Sequence, residues 1–236
     1  MASDTEAAGP VQAPNGVVRV VATYDGVPPG RLRLPFITEP YVDMAASFRS
    51  LRHRMQTLTN ARMVAVTSPQ PEEGKTTCAI NLAMAFAEHG VDNVLLLEAN
   101  LQNPSLAAGL GFTPPTCFAR QMKSALKDEA SYEWQAVAAY YPNLHVLAVD
   151  PTEHQPSYLH SFAFTNAMRQ IKSAQYAYII VDCPQVFGSA DISIVQDFVD
   201  GVLFAAHAGV TKGSELRKAV QLMEPVNVLG TVLMRR

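Results

Sequence analysis

The chain has 236 residues, of which 48% are hydrophobic and 17% charged, a profile typical of a globular protein with one sizeable core. Its formal net charge of -3 argues against nonspecific nucleic-acid binding, which needs a basic surface, and no nucleic-acid partner is expected. The sequence also lacks the roughly 18 consecutive apolar residues that span a bilayer and has no signal-peptide pattern. A cytoplasmic protein is therefore expected, and a partner could hold it at the inner face of the cell membrane.

The N-terminal part of the chain differs in composition from the rest. Residues 1–35 are rich in Ala, Pro, Gly and Val, which predicts a flexible arm, within which residues 17–21 could form a short strand. We expect a single domain over residues 36–236. It begins with a helix over residues 41–58, where apolar side chains recur every three or four positions.

Apolar runs and helical patterns alternate from there to the end of the chain. Six buried strands are predicted at RMVAVTS, NVLLLEA, LHVLAVD, YAYIIVD, DGVLFAAHA and VLGTVLM. Helices are predicted at TTCAINLAMAFAEHG, around Leu106, over 118–126, over 158–173, at ADISIVQDF and at KGSELRKAVQLM. Because strands that are apolar on both faces alternate with helices, the predicted fold is a doubly wound α/β domain, with a mostly parallel sheet between two helical layers.

The segment SPQPEEGKTT joins a predicted strand to a predicted helix, as a phosphate-binding loop does. Gly74 lets the main chain approach a phosphate, Lys75 adds positive charge near the β- and γ-phosphates, and the Thr76 hydroxyl can ligate Mg²⁺. The strict GxxxxGK[ST] pattern has a glycine where this chain has Pro69, so a chance GKT at a helix start is the alternative interpretation. The predicted nucleotide-binding residues are Pro71, Glu72, Glu73, Gly74, Lys75, Thr76 and Thr77.

Two other predicted strands end in polar residues. Asp182 directly follows YAYIIV, where P-loop proteins place a carboxylate that holds Mg²⁺, often through water. In the simpler interpretation, Asp182 only ends the strand and caps the next helix. Glu98 and Asn100 end another strand, at the edge where open α/β sheets bind ligands, so Glu98 could serve as a base or as a ligand of metal-bound water.

These residues resemble the bacterial tyrosine kinases (BY-kinases) of capsule and exopolysaccharide synthesis, within the P-loop group that includes the MinD and ParA ATPases. The resemblance covers about residues 36–236. The family's S-x-x-P-x-x-G-K-[ST] and D-x-P elements are matched at Ser68, Pro71, Gly74, Lys75, Thr76, Asp182 and Pro184. The resemblance implies ATP and Mg²⁺ as cofactors, with Thr76 and Asp182 holding the metal. It also implies catalytic roles for Lys75, Glu98 and Asp182, with Glu98 activating the attacking hydroxyl.

The third nucleotide-binding element of the family departs from its pattern. The family ends a strand with D-x-D-x-R, whereas this chain has Glu98, Asn100 and Gln102. Glu98 keeps a carboxylate and moves it about one methylene outwards, whereas Asn100 and Gln102 each remove a charge. Phosphoryl transfer depends on positioning and charge stabilisation, so these changes predict weakened transfer.

Two further family features are incomplete. The helical E-x-x-R-x-x-R motif, which builds ring-shaped oligomers, keeps Arg49 and Arg52 but has Ala46 in place of the glutamate, which argues against ring assembly and leaves other homo-oligomers open. The family's C-terminal tyrosine cluster has no counterpart after Tyr178. The adjacent tyrosines at 140–141 are expected to pack rather than to be phosphorylated.

Three functions remain open from the sequence. The first is a tyrosine autokinase or ATPase with weakened or partner-dependent activity that regulates polysaccharide synthesis and export. The second is a nucleotide-binding pseudokinase of the same machinery. The third, a ParA- or MinD-like ATPase, is disfavoured because those proteins have a lysine where this chain has Gln70. By resemblance, the partner is the cytoplasmic segment of a membrane co-polymerase that controls polysaccharide chain length, and the N-terminal arm is a candidate for docking to it.

The cysteines point to neither a disulfide framework nor a zinc site. Cys78, Cys117 and Cys183 are widely spaced, form no CxxC pair and have no histidine at metal-ligand spacing. We expect all of them to be reduced thiols.

Overall fold

The computed structural model describes residues 17–127, 132–152, 162–189 and 192–235. The strands are β1 Val18–Tyr24, β2 Met63–Thr67, β3 Val94–Glu98, β4 Trp134–Ala139, β5 Leu144–Leu147, β6 Tyr178–Asp182, β7 Gly201–His207 and β8 Val228–Met234. The helices are α1 Pro35–Thr38, α2 Asp43–Leu58, α3 Lys75–Ala87, α4 Leu106–Leu110, α5 Phe118–Ala125, α6 Phe162–Ser173, α7 Ile192–Val195 and α8 Gly213–Leu222.

All these strands form one eight-stranded sheet in the order β1-β4-β5-β3-β6-β2-β7-β8. Neighbouring strands are parallel except for β4 and β5, which are antiparallel. The six strands predicted from the sequence are therefore the six that run in one direction, from β5 to β8 in the sheet order. The predicted α/β fold with a mostly parallel sheet is confirmed.

The sheet has a hydrophobic core on each face, because alternate residues of a strand point to opposite sides. In β2, Met63 and Ala65 pack into one core with residues of α5, α6 and α8. Val64 and Val66 pack into the other core with residues of α2, α3 and α4. The strand is buried along its whole length. This arrangement is the helix–sheet–helix sandwich that the sequence predicts.

Residues 1–35 are predicted to be a flexible arm, and the structure describes this segment from residue 17 onwards. There, β1 pairs in parallel with β4, and Leu34 and Phe36 are buried against α2 and α3. Residues 18–24 and Leu34 thus pack on the sheet and its helices, and the alternating Val18 and Val20 bury one face of an edge strand. Residues 1–16 lie outside the described residues, and for them the flexible arm stays a prediction.

The strand order brings three strand ends together. β6 lies between β3 and β2, with Asp182 opposite Glu98 on one side and opposite Val66 on the other. The chain leaves β2 into α3, which covers this part of the sheet. This edge is where ligands bind in open α/β sheets. No helix among the described residues is long and apolar enough to cross a membrane.

Candidate functional site

The loop between β2 and α3 has the backbone conformation of an anion-binding loop. Gly74, directly before α3, has φ 89°, and Glu72 has φ 60°, a value uncommon for a residue other than glycine. A Cβ added to Gly74 would lie 3.1 Å from Cγ of Met234, so space also restricts this position. Left-handed residues in such a loop turn successive backbone N–H groups towards a common point, which favours phosphate binding at the start of α3.

Thr76 and Asp182 meet at the centre of this edge of the sheet. The Thr76 hydroxyl donates a hydrogen bond to Oδ2 of Asp182 over 2.7 Å, while Oδ1 is buried and has no hydrogen-bond partner among the described residues. Burial raises the pKa of Asp182 to about 7, against the lowering effects of Thr76 and Lys75. A buried carboxylate oxygen without a partner beside a hydroxyl is a donor set that suits Mg²⁺.

Lys75 begins α3 and is largely buried. Burial lowers the pKa of Lys75, and the negative charges of Asp182 and Glu73 oppose that shift. A cation in this position is placed to neutralise the charge of a bound phosphate.

A cleft of ≈ 530 Å³ opens above these groups. It is lined by Leu32, Pro71, Glu72, Gly74, Lys75, Thr76, Thr77, Asn100, Asn103, Ser105 and Gln185. Most of the predicted nucleotide-binding residues therefore face one cavity. Asn100 also lines it, and its Nδ2 donates to the carbonyl of Asn103 over 2.9 Å.

Glu73 differs from its neighbours in the loop, because its carboxylate is turned into the protein. It is buried, and its two oxygens accept the backbone N–H of Gln70 at 2.8 Å and the hydroxyl of Thr211. Thr211 Oγ1 in turn accepts the N–H of His207 over 2.7 Å. The Glu73 side chain therefore ties the loop between β2 and α3 to the segment after β7 and does not line the cleft.

Glu98 is also fully buried and does not line the cleft. Its Oε1 accepts the backbone N–H groups of Ser105 and, at 2.9 Å, Leu106, and its Oε2 accepts the N–H of Val149 at 2.9 Å. Burial raises the pKa of Glu98 to about 8, and these N–H groups oppose the rise. The side chain thus caps the start of α4 and joins it to the end of β5.

Sequence reasoning missed Leu32, Asn103, Ser105 and Gln185 of the cleft lining, and of these Ser105 contacts Thr76. Its Oγ lies 2.9 Å from Oγ1 of Thr76, and it lines the cleft. A serine directly before a helical segment is a helix-capping signal, so the position could have been noticed for its structure, although not for this contact.

The adjacent tyrosines at 140–141 were expected to pack. Tyr140 has φ 63° and donates its hydroxyl hydrogen to the carbonyl of Leu110 over 2.6 Å. Its ring meets the ring of Tyr24 edge to face, with centroids 5.8 Å apart. Tyr141 packs against the core that contains α2 and α3. Both contact sets are those of packing residues.

The described fold is a doubly wound α/β fold, with the loop between β2 and α3 at the carboxyl edge of a mostly parallel sheet. No family model matches the chain. Among characterised proteins, it is 29% identical over 202 residues to the tyrosine-protein kinase YwqD of Bacillus subtilis (strain 168), covering 84% of this chain and 83% of that protein. It is 26% identical over 163 residues to the tyrosine-protein kinase CpsD of Streptococcus agalactiae serotype III (strain NEM316), covering 69% of this chain and 68% of that one.

A longer relative is the succinoglycan biosynthesis transport protein ExoP of Rhizobium meliloti (strain 1021). It is 26% identical over 221 residues, which make up 90% of this chain but only 27% of ExoP. These relatives confirm the resemblance to bacterial tyrosine kinases that the motifs indicate.

Solved structures confirm the fold. The chimerical protein CapA2B2 superposes with a TM-score of 0.74 at 21% identity, covering 93% of this chain and 96% of that one. The kinase domain of Escherichia coli tyrosine kinase ETK gives 0.71 at 20% identity, covering 94% of each chain. The septum site-determining protein MinD from Pyrococcus horikoshii OT3, complexed with Mg-ADP, gives 0.57 at 20% identity, covering 73% and 69%. At these identities the likeness shows a common fold.

Proposed function

We propose that the chain binds ATP with Mg²⁺ and acts as a tyrosine autokinase or ATPase of the BY-kinase type, with weakened or partner-dependent activity, in the control of exopolysaccharide or capsule synthesis and export. The observation that carries the proposal is the contact of Thr76 with Asp182 beside Lys75, directly below a loop whose Gly74 is left-handed. The names of the relatives support the tyrosine-kinase class and the link to polysaccharide synthesis.

Each group has a role that follows from its chemistry. The backbone N–H groups of the loop and of the first turn of α3 would bind phosphate oxygens, and Lys75 would neutralise part of their charge. The Thr76 hydroxyl and the unpartnered oxygen of Asp182 would hold Mg²⁺, directly or through water. The bound metal would supply charge neutralisation at the transferred phosphoryl group.

The second candidate is a nucleotide-binding pseudokinase of the same machinery. It is favoured by Asn100 and Gln102, which replace charged residues of the family pattern, and by the contacts of Glu98, which is fully buried under backbone N–H groups. Such a protein would respond to ATP or ADP by a change of conformational population without efficient transfer. Measurements of phosphotyrosine and of ATP hydrolysis together distinguish the two candidates.

The test is calorimetric titration of the purified chain with ATP, in Mg²⁺ and in EDTA, beside Lys75→Ala. We expect Mg²⁺ to tighten binding and Lys75→Ala to weaken it at least about tenfold, because a charged hydrogen bond to phosphate is lost from a buried site. Arg54→Ala, at an exposed position on α2, is the control for loss of a positive charge.

The outcomes separate the candidates. Mg²⁺-dependent binding followed by phosphotyrosine on the chain supports the autokinase. Mg²⁺-dependent binding without phosphotyrosine or ATP hydrolysis, even with the partner segment added, supports the pseudokinase. If the wild-type chain bound no ATP at millimolar concentration, nucleotide binding itself would be refuted.

For the partner, we propose the cytoplasmic segment of a membrane polysaccharide co-polymerase. The support is that ExoP, a transport protein of succinoglycan biosynthesis, contains a region related to almost the whole of this chain. Residues 1–16 are the proposed docking arm, because β1 is already paired in the sheet and Leu34 is already buried in the core.

The probe is the cytoplasmic segment of the source organism's co-polymerase, produced alone. We expect it to bind the full chain and to bind at least about tenfold more weakly to a chain that begins at Val17 and keeps β1. Equal binding by both chains would show that the arm is not part of the interface. Binding by neither chain would refute the proposed partner.

A further inference from the structure

Glu98 was expected to act as a base or as a ligand of metal-bound water, but its surroundings are those of a residue that fixes the backbone. A base must point a free lone pair at the proton it removes, within about 2.6–3.2 Å. Oε1 of Glu98 already accepts two backbone N–H groups and Oε2 accepts a third. The side chain has no exposed surface and is absent from the lining of the cleft.

Glu98 is connected by hydrogen bonds to the candidate metal site. The carboxylate accepts the backbone N–H of Ser105, and Oγ of the same serine lies 2.9 Å from Oγ1 of Thr76. Thr76 donates its single hydroxyl hydrogen to Asp182, so Ser105 is the donor in the serine–threonine contact. A continuous set of hydrogen bonds thus runs from β3 through the start of α4 to α3 and β6.

We propose that Ser105 is a further binding residue of the metal–nucleotide site and that Glu98 is its positioning residue, acting through the backbone N–H of Ser105. This inference rests on the proposed nucleotide binding and assigns to the site a hydroxyl that the motifs do not mark. Ser105 lines the same cleft as Lys75 and Thr76. Because its single hydrogen is donated to Thr76, its oxygen can accept a hydrogen bond from a metal-bound water or be a ligand of the cation.

The hydrogen bonds at position 98 require both oxygens of a carboxylate. The carboxylate must reach both the first N–H groups of α4 and the N–H of Val149 at the end of β5. Oε1 accepts the N–H groups at the start of α4 and Oε2 accepts the N–H of Val149, so both oxygens are in use. Glutamine offers only one carbonyl oxygen, so it would leave at least one of these N–H groups facing an amide nitrogen.

The test compares ATP binding in Mg²⁺ with ATP binding in EDTA, by calorimetry on the full chain. For Ser105→Ala we expect Mg²⁺·ATP to bind about tenfold more weakly, because one hydrogen bond to a charged group is lost, with a smaller change in EDTA. Ser105→Thr keeps a hydroxyl on the same backbone and should stay within about twofold of wild type. Ser173→Ala is the matched control, since this serine lies at the end of α6 and bonds only to the carbonyl of Gln170 among the described contacts.

The positioning role is tested by a double-mutant cycle. Glu98→Gln should weaken Mg²⁺·ATP binding in the wild-type chain. In the Ser105→Ala chain it should lower the affinity by less than about a further twofold, because both changes remove the same contact. Additive effects would overturn the positioning role, and an unchanged affinity of Ser105→Ala would overturn the binding role. If Glu98→Gln does not fold, the comparison of Ser105→Ala with Ser105→Thr still decides the role of the hydroxyl.

A base at position 98 gives a different result. Glu98→Gln would then abolish turnover while leaving Mg²⁺·ATP affinity unchanged, and Ser105→Ala would have no effect on either. The failure of this inference is also distinct from that of the proposed function. If wild type binds ATP and Lys75→Ala does not, but Ser105→Ala matches wild type, then only the inference fails.

Discussion

Arg49 on α2 is paired with Glu88, the residue that follows α3, through Nε at 3.0 Å from Oε1 and 2.8 Å from Oε2. The same guanidinium donates from Nη1 to the carbonyl of Pro40 over 2.8 Å, and Arg52 donates to the carbonyl of Ala85 over 2.6 Å. Both arginines of the oligomerisation motif are therefore engaged within the chain, where they hold α2 against the C-terminal end of α3. This arrangement agrees with the prediction against ring assembly, which stays a prediction.

Arg49→Ala should lower the free energy of unfolding by about 1–2 kcal/mol without changing the oligomeric state, because the pair is partly buried and hydrogen-bonded on several atoms. The side chains of Arg49 and Glu88 are only 29% and 19% exposed, so solvent screens the pair incompletely. Urea unfolding measures the stability, and light scattering measures the mass. Arg54→Ala, on the exposed face of the same helix, should change stability by less than about 0.5 kcal/mol. A large assembly that dissociates in Arg49→Ala would contradict the intramolecular role.

Glu73→Gln should destabilise the protein by about 1–2 kcal/mol, because glutamine has one acceptor fewer for the Gln70 N–H and the Thr211 hydroxyl. Glu72→Gln is the matched control, since it makes the same chemical change at an exposed neighbouring position. We expect the control to change the stability by less than about 0.5 kcal/mol. Thermal unfolding without nucleotide measures both, and equal effects would show that the buried link does not contribute.

The elements that the sequence predicts correctly are those with local signals. The six parallel strands are each apolar on both faces and flanked by helical patterns, and the loop before Lys75 is marked by its own residues. The strands that it misses or leaves open, β4 and β1, pair with each other far apart along the chain. Their place at the sheet edge depends on that pairing, and no short window of sequence contains it.

The sequence predicts those site residues that follow from the fold and misses the contacts that depend on distant parts of the chain. Lys75, Thr76 and Asp182 converge because the carboxyl ends of parallel strands meet at one edge, which is a rule of the fold. The contacts of Glu98 and Glu73 are not predictable in this way. Their partners include backbone N–H groups of distant loops, and a side-chain pattern carries no information about where those groups lie.

Stability should fall in acid through His145, which is buried and whose pKa is lowered from its ordinary value of 6.5 by burial. Its Nε2 lies 3.2 Å from the carbonyl of Pro142, an acceptor, so Nδ1 accepts the Tyr176 hydroxyl at 2.7 Å. As the pH falls below 6.5, the unfolded chain binds a proton here before the folded chain does, so this contribution is present above that pH and is lost towards the lower folded pKa.

Between about pH 7 and pH 5, the free energy of unfolding of His145→Gln should therefore fall less than that of wild type. Urea unfolding at each pH measures both. His53→Gln, at an exposed position on α2, is the control and should keep the wild-type pH dependence. A wild-type acid dependence in His145→Gln would mean that other groups cause the loss.

Thr76→Val keeps the shape of the side chain and removes its hydroxyl, which separates the fold from the metal site. Without nucleotide, Asp182 loses its hydrogen bond from Thr76, so the free energy of unfolding should fall by about 1–3 kcal/mol. With nucleotide, ATP in EDTA should bind within about threefold of wild type, whereas the tightening by Mg²⁺ should shrink at least about tenfold, because a metal ligand is gone. Thr76→Ser retains the hydroxyl and should keep most of the Mg²⁺ effect. If Thr76→Val binds Mg²⁺·ATP as wild type does, Thr76 is not a metal ligand, and its contact with Asp182 serves the fold alone.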